Sequence, residues 1–250
     1  MTLNDELPLE LLNTVGFHEG IEQFKQVGAI ARTLLQNHAG LQVNSSVLDI
    51  GCGIGRIAIP LTDFLTNEGM YCGFDITEGS IDWCTRHIAS VHPHFQFERA
   101  DIFNTAYNTS GKLRPENFVF SYVDKKFDVA IATSVFTHLL SSETTNYLRE
   151  SYRVLKPGGR LFATFFLLDT IARDCIVQGR STLNFQYPMD SCMVIDAKTP
   201  ESAVAYDLEF AKTLFVEHGF NIDFFKFGGW SGRAEEGPDY YQDLVVLKRT

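Results

Sequence analysis

The sequence of 250 residues predicts an α/β fold in which helices cover both faces of a doubly wound, mostly parallel β-sheet. First, short apolar runs typical of strands alternate with stretches of helical periodicity, which is the pattern of βαβ units. Second, the runs VLDI at 47–50 and VAIA at 129–132 have the near-continuous apolar character of strands buried on both faces. Third, a cluster of three glycines directly follows the first of these runs.

The individual elements follow in order from the spacing of apolar residues. Between 21 and 38 such residues recur every three or four positions, which predicts a helix with one buried face, and Gly40 suits its carboxyl-terminal cap. The same reasoning predicts further helices at 56–65, 79–91, 142–155 and 207–218. Seven strands are predicted, at 47–50, 71–75, 95–99, 127–133, 160–168, 222–227 and 244–248.

The chain is interpreted as a single domain over 1–250, with an N-terminal helical segment at 1–44. Two stretches interrupt its alternation of strands and helices. Residues 101–126 are rich in Asn, Gly and Pro where a crossover helix is expected. Residues 169–206 form a long insertion after the fifth strand, and loops of this length in compact domains are usually functional or disordered. The insertion is therefore a candidate lid.

Composition and charge narrow the function classes. The net charge of −10 disfavours a nucleic-acid partner, because the overall field repels phosphate backbones. No apolar run approaches the roughly eighteen residues of a membrane span, and the acidic start lacks the layout of a signal peptide. The five cysteines form no CxxC pair and are odd in number, which fits reduced thiols. The expectation is a cytoplasmic protein without membrane or nucleic-acid partners.

The glycine cluster VLDIGCGIGR predicts a ligand-binding turn between a buried strand and a helix. Glycine permits positive φ and lets a ligand approach the backbone, and such turns lie at the carboxyl edge of doubly wound sheets. Gly51, Gly53 and Gly55 form the pattern GxGxG. A dinucleotide fingerprint needs glycine or alanine where Arg56 stands, and an acid, Asp49, lies two residues upstream. The turn therefore favours a ligand without a pyrophosphate.

Carboxylates also end the second and third predicted strands. Asp75, in GFDIT, can accept hydrogen bonds from both hydroxyls of a ribose, although a helix cap is the alternative. Asp101, in ERADIF, can accept the exocyclic amine of an adenine between Ile102 and Phe103, or serve only as a turn residue. Three successive strand ends thus carry the groups that an adenosine requires.

These segments resemble the class I S-adenosylmethionine-dependent methyltransferases of small-molecule type. The resemblance rests on VLDIGCGIGR, GFDIT, RADIF, FDVAIATSVFTHL and YLRESYRVLKPGGRLFATFF, and it covers roughly 47–166. It implies a Rossmann-like seven-stranded sheet whose last strand runs antiparallel between strands five and six. It also implies S-adenosylmethionine as the cofactor, with Thr133 and Ser134 beside its methionine part. The expected cofactor-binding residues are Asp49, Gly51, Gly53, Gly55, Arg56, Asp75, Ile76, Asp101, Ile102, Thr133 and Ser134.

Methyl transfer from a sulfonium is an in-line displacement, so most of the catalysis can come from positioning the acceptor and excluding water. A hydroxyl acceptor also benefits from a general base. His138 is the first candidate, with a packing role as the alternative; Asp169 is the second and His18 a weaker third. No metal site is predicted. Residues expected to bind the acceptor, or else to pack in a hairpin or a small core, are Phe185, Tyr206, Trp230, Arg233 and Tyr240.

The predicted function is transfer of a methyl group from S-adenosylmethionine to a small molecule. The most favoured acceptor is a hydroxyl of a metabolite, sugar or natural product. A nitrogen acceptor is an alternative, since it needs less help from a base. Two other classes stay open: an NAD(P)-dependent oxidoreductase, and a catalytically silent module that keeps the cofactor fold.

Overall fold

The computed structural model describes residues 7–14, 20–105, 107–233 and 240–250. Its main sheet has seven strands: Ser46–Ile50 (β1), Met70–Asp75 (β2), Phe95–Arg99 (β3), Phe127–Ala132 (β4), Leu155–Phe165 (β5), Phe220–Lys226 (β10) and Asp243–Arg249 (β11). Their order is β10-β11-β5-β4-β1-β2-β3. Strand β11 runs antiparallel to both β5 and β10, and the other pairs are parallel. The predicted fold class is confirmed, including the place of the last strand.

Helices cover the sheet on both faces, as the apolar character of its central strands requires. They are Leu9–Thr14 (α1), Ile21–His38 (α2), Ala58–Thr62 (α3), Glu78–Cys84 (α4), Ser141–Val154 (α5), Thr170–Val177 (α6) and Leu208–Glu217 (α7). One apolar core contains side chains of α5 and α7, and a second contains those of α2, α3 and α4. None of the helices in the described ranges is long and apolar enough to cross a membrane.

The fifth predicted strand, 160–168, differs from the structure at both ends. Strand β5 already begins at Leu155, and it stops at Phe165. The chain then leaves the main sheet as Leu167–Leu168 (β6), because the amide of Leu167 donates to Asp243 Oδ2 over 2.7 Å. The apolar run is continuous across this break, so apolar spacing alone does not reveal it.

The connection between β3 and β4 is irregular, as its composition predicts. Its described residues contain no α-helix, but two isolated β-bridges, Ile102 with Leu113 and Asn104 with Asn108, and the short 3₁₀ turn Pro115–Asn117. Gly111 is required here, since an added Cβ would overlap with the backbone of Ile102. The loop thereby folds back onto the carboxyl edge of the sheet.

The insertion after β5 folds into a small sheet of its own. Helix α6 leads into Tyr187–Met189 (β7), Cys192–Val194 (β8) and Val204–Asp207 (β9), and the strand order is β6-β9-β8-β7. A separate apolar core that includes Phe166, Phe185 and Trp230 supports it. The insertion is therefore anchored to the end of β5, and its residue Glu201 lines the cavity described next.

Candidate functional site

A cavity of about 420 Å³ lies at the carboxyl edge of the main sheet. Its walls are the segments that follow β1, β2, β3 and β4, together with parts of α2, α5 and the insertion. We call the end lined by Phe24, Arg56 and Ile57 the α2 side, and the end lined by Tyr107, His138, Glu143, Tyr147 and Glu201 the α5 side. The volume suits a small organic ligand or cofactor.

The glycine turn shapes the floor of this cavity. The amides of Gly51 and Cys52 both donate to the carbonyl of Phe74, over 2.9 and 3.0 Å, and so tie the turn to β2. All three glycines have positive φ, which favours glycine at each position. Gly51 and Gly53 line the cavity, but Gly55 does not. An added Cβ at Gly55 would lie 2.7 Å from Ile88 Cδ1, so Gly55 serves packing instead of ligand approach.

The carboxylate of Asp75 lies on the cavity wall at the end of β2, where a ribose was predicted. Its Oδ2 accepts from the Gly53 amide over 2.8 Å, and its Oδ1 accepts from the amide and hydroxyl of Thr77 over 2.8 and 2.6 Å. These contacts hold the carboxylate in one orientation. A carboxylate has about four lone-pair sites, so both oxygens can still accept from a vicinal diol. Ile76 lines the cavity beside it.

Asp49 is an acidic group buried beneath the turn, with only 2% of its surface exposed. The Tyr71 hydroxyl donates to its Oδ2 over 2.5 Å, while Oδ1 is buried without a hydrogen-bond partner among the described residues. Burial raises the pKa of Asp49 to about 7, although Tyr71 and Arg56 act in the opposite direction. Arg56 donates to Thr133 Oγ1 over 2.9 Å. An orphan acceptor and a guanidinium thus face one end of the cavity, a donor set that fits a zwitterionic amino-acid group.

The segment after β4 contributes Thr133 and Ser134, which both line the cavity as predicted. Ser134 adopts a positive φ of 59°, a conformation that is uncommon for residues other than glycine. Its amide donates to Thr164 Oγ1 over 2.8 Å, and its hydroxyl donates to Gln242 Oε1 over 3.1 Å. The end of β5 and the residue just before β11 therefore hold this segment in place.

The two residues predicted to bind an adenine at the end of β3 differ in whether they line the cavity. Ile102 lines the cavity, as does its neighbour Phe103, but Asp101 does not. Asp101 instead contacts its own loop, where Asn108 Nδ2 donates to Asp101 Oδ1 over 3.4 Å and to the Ile102 carbonyl over 2.9 Å. The loop thus turns this carboxylate toward itself and a second, smaller cavity of about 200 Å³.

Of the two candidate bases within the described residues, His138 lines the cavity and Asp169 does not. Its Nδ1 lies 2.8 Å from the carbonyl of Glu201, and burial lowers its pKa, so the imidazole is neutral at pH 7. Asp169 lies elsewhere: its Oδ1 caps α6 by accepting from the Ala172 amide over 2.8 Å, and it pairs with Arg233 over 2.9 Å. Asp169 therefore does not line the cavity in this structure. His18 lies outside the described residues.

Four of the five residues expected to bind the acceptor pack elsewhere. Trp230 is fully buried, donates from Nε1 to Asp243 Oδ2 over 2.9 Å, and has its ring 5.4 Å from that of Phe185. The buried hydroxyl of Tyr206 donates to the Leu139 carbonyl over 2.7 Å. Arg233 stacks 3.5 Å above the ring of Phe227. Burial of large aromatic side chains stabilises the folded state. These four residues therefore have packing roles in this structure in place of the predicted contact with an acceptor.

Tyr240, the fifth of these residues, also lies outside the cavity wall and packs against the core that contains side chains of α2, α3 and α4. Its hydroxyl is buried without a hydrogen-bond partner among the described residues. Burial raises its pKa, and the charges of Arg56 and Asp49 also act on it. Arg56 and Asp49, whose charges act on this pKa, both line the cavity.

Several cavity residues escaped the sequence analysis, among them Phe24, Tyr107, Glu143, Tyr147 and Glu201. A signal existed for one pair, because Glu143 and Tyr147 are four residues apart in a predicted helix and therefore share a face. Spacing does not show which face meets a cavity. Glu201 lies in the insertion, and only the tertiary fold brings it to the site.

The central part of the chain is similar in sequence to known methyltransferases. A family model described as a methyltransferase domain matches residues 47–159. The arsenite methyltransferase of Aquipseudomonas alcaligenes is 30% identical over 138 residues, which cover 53% of this chain and 37% of that protein. The 27-O-demethylrifamycin SV methyltransferase of Amycolatopsis mediterranei is 31% identical over 130 residues, covering 51% and 41%. The chain thus spans about two-fifths of the length of these curated relatives.

A solved structure extends the likeness in fold over most of the chain. It is the magnesium protoporphyrin IX methyltransferase of Synechocystis PCC 6803 with bound SAH, which is 16% identical and superimposes with a TM-score of 0.56. The likeness covers 91% of this chain and 84% of that one. Residues 47–159 match a methyltransferase domain, and the chain has the Rossmann-like fold of S-adenosylmethionine-dependent methyltransferases.

Proposed function

We propose that the protein transfers a methyl group from S-adenosylmethionine to a small-molecule acceptor. One observation carries the proposal: a single cavity joins the oriented carboxylate of Asp75 to the glycine turn and to the Asp49–Arg56 end. Asp75 matches the ribose of that cofactor, and the Asp49–Arg56 end of the cavity matches its amino-acid part. The similar proteins named above include an arsenite and a rifamycin methyltransferase, and both names specify small acceptors.

The bound cofactor would supply an electrophilic methyl group on a sulfonium. The residues of this chain then have three tasks. Asp75 would hold the ribose hydroxyls, while Asp49 and Arg56 would bind the ammonium and carboxylate of the amino-acid part. The walls formed by Phe24 and the segment after β4 would exclude water and confine the acceptor. Positioning of this kind can account for most of the acceleration of an in-line displacement.

Calorimetric titration with S-adenosylmethionine and, separately, with NADH tests the proposed cofactor. We expect S-adenosylmethionine to bind and NADH not to bind, since Arg56 stands where a dinucleotide needs a small residue. Binding of NADH alone would favour the oxidoreductase alternative. No binding of S-adenosylmethionine at millimolar concentration would refute the proposal, provided that mass spectrometry of the denatured protein finds no copurified S-adenosylhomocysteine. Binding without methylation of any acceptor in a screen would indicate a silent module.

The finer proposal is an oxygen acceptor with His138 as the general base. His138→Gln keeps a donor for the Glu201 carbonyl but removes the basic nitrogen. We expect it to lower kcat about 100-fold at saturating substrate and to leave cofactor affinity unchanged. Asp169→Asn is the control, because asparagine also caps helices and Asp169 lies away from the cavity. An unchanged kcat in His138→Gln would favour a nitrogen acceptor that needs no base.

A further inference from the structure

We infer that Gln242 is a positioning residue for the cofactor cavity: it holds Ser134 in a left-handed backbone conformation and so fixes the wall that follows β4. This inference rests on the proposed function, because the wall belongs to the proposed cofactor site. Ser134 lines the cavity, whereas Gln242 does not. Gln242 therefore acts on the cavity through Ser134 and its neighbours.

The backbone conformation of Ser134 needs support from the rest of the fold. Its φ of 59° lies in the left-handed region, where the Cβ of an L-residue crowds the following carbonyl oxygen. Such a residue persists there only when the surrounding structure determines its conformation. Of the three non-glycine residues with positive φ in the described part of the chain, Lys125, Ser134 and Asp190, Ser134 is the one that lines the cavity.

A closed ring of three hydrogen bonds at the carboxyl edge of β4 and β5 provides this support. The Ser134 amide donates to Thr164 Oγ1 over 2.8 Å, and the Thr164 hydroxyl donates to Gln242 Oε1 over 2.5 Å. The Ser134 hydroxyl donates to the same oxygen over 3.1 Å and so closes the ring. Because Thr164 is fully buried, water does not compete for its hydroxyl. One oxygen of Gln242 thus accepts two of the three bonds.

The chain at Gln242 is anchored independently of this ring. The next residue, Asp243, is fully buried. Its carboxylate accepts from the amides of Leu167 and Gly228 over 2.7 and 2.8 Å. It also accepts from Trp230 Nε1 over 2.9 Å. Gln242 therefore presents its side chain from a fixed point, which is what a residue that orients a binding site requires.

Ser134 transmits this position to the glycine turn through its two neighbours in the chain. Thr133 Oγ1 accepts from Arg56 over 2.9 Å, and both residues line the cavity. Val135 packs directly on the turn, since an added Cβ at Gly51 would lie 2.7 Å from Val135 Cγ2. Relaxation of Ser134 to a right-handed conformation would redirect the chain on both sides of it. The cavity would then lose the wall that faces the glycine turn.

A double-mutant cycle with Ser134→Gly tests the inference, because glycine adopts a positive φ without support. Gln242→Met removes the acceptor oxygen at a similar side-chain length. In the otherwise wild-type protein, we expect it to weaken the binding of S-adenosylhomocysteine at least about tenfold, because two hydrogen bonds that hold the binding-competent conformation are lost. Added to Ser134→Gly, the same change should weaken binding by less than about threefold, because that conformation no longer needs them. Isothermal titration calorimetry measures each Kd.

Thr164→Val is a second, isosteric variant that removes the acceptor of the Ser134 amide. Its effect on Kd should depend on residue 134 in the same way, and it decides the question alone if Gln242→Met does not fold. Gln178→Met is the matched control, because Gln178 is exposed, accepts from Arg180 Nε over 2.9 Å and lies away from the cavity. Its Kd should equal that of the wild-type protein.

Equal losses of affinity in the wild-type and Ser134→Gly backgrounds would overturn the inference, since Gln242 would then stabilise the fold without holding Ser134. An unchanged Kd in both Gln242→Met and Thr164→Val would also overturn it, while leaving the proposed function intact. Failure of the wild-type protein to bind S-adenosylhomocysteine would refute the proposed function and this inference together. Circular dichroism and thermal melting establish that each variant is folded.

Discussion

Asp75→Ala is expected to weaken the binding of S-adenosylmethionine by about 1,000-fold, since two hydrogen bonds to a charged group are lost. The variant removes the acceptor for the ribose hydroxyls. It also leaves the Gly53 and Thr77 amides without the carboxylate that orients the turn. Isothermal titration calorimetry of the variant and the wild-type protein measures the effect directly.

Asp82→Ala is the control for a general effect of removing an aspartate. Asp82 is an exposed residue of α4 that pairs with Arg86 over 3.4 Å, and exposed pairs of this kind contribute little to stability. The affinity of the Asp82→Ala variant for the cofactor should equal that of the wild-type protein. If Asp75→Ala retains an affinity within about tenfold of the wild-type value, the ribose does not lie at Asp75.

Asp49→Asn should remove a pH-dependent change of roughly 4 kcal/mol in the free energy of unfolding. This change arises because burial raises the pKa of the Asp49 carboxyl from 3.8 to about 7. A raised pKa means that the folded protein holds the proton more tightly than the unfolded chain. The resulting stabilisation is fully present below pH 3.8, is lost as the pH rises to about 7, and stays absent above it. Asparagine imitates the protonated acid and does not titrate.

Urea unfolding of both proteins between pH 4 and pH 8 measures this difference. Relative to Asp49→Asn, the wild-type protein should lose free energy of unfolding across the range. Glu143 and Asp243, whose pKa values burial raises to about 7 and about 6, titrate in both proteins and cancel in the difference. If the free energies of unfolding of the two proteins change with pH in parallel, Asp49 ionises with the ordinary pKa of an aspartate. A carboxyl group retained at this cost agrees with a role in binding, because functional sites commonly reduce stability.

Local patterns were sufficient for the architecture. Helix α2 and strand β3 begin and end at the predicted residues, Ile21–His38 and Phe95–Arg99. The reason is that apolar periodicity and the glycine and proline residues that interrupt it act over a few positions along the chain. Gly51, Gly53 and Asp75 lie on the cavity for a related reason. Strand ends of a parallel sheet meet at one edge, so residues there come together whatever the loops do.

The direction of individual side chains depended on contacts between distant segments. Asp75 is the last residue of β2, whereas Asp101 lies two residues beyond β3 and contacts Asn108 of its own loop. Trp230 lies in a polar turn, but its indole donates a hydrogen bond to Asp243 and packs in the apolar core that supports the insertion.

The sequence by itself therefore determined the sheet, the glycine turn and the class of cofactor, since each depends on short-range pattern. Only the tertiary structure decided which acids face the cavity. Glu143 is one of them, and in the sequence it is an ordinary polar position of an amphipathic helix. A side chain's burial and hydrogen-bond partners come from segments far away in the chain, and no local pattern contains them.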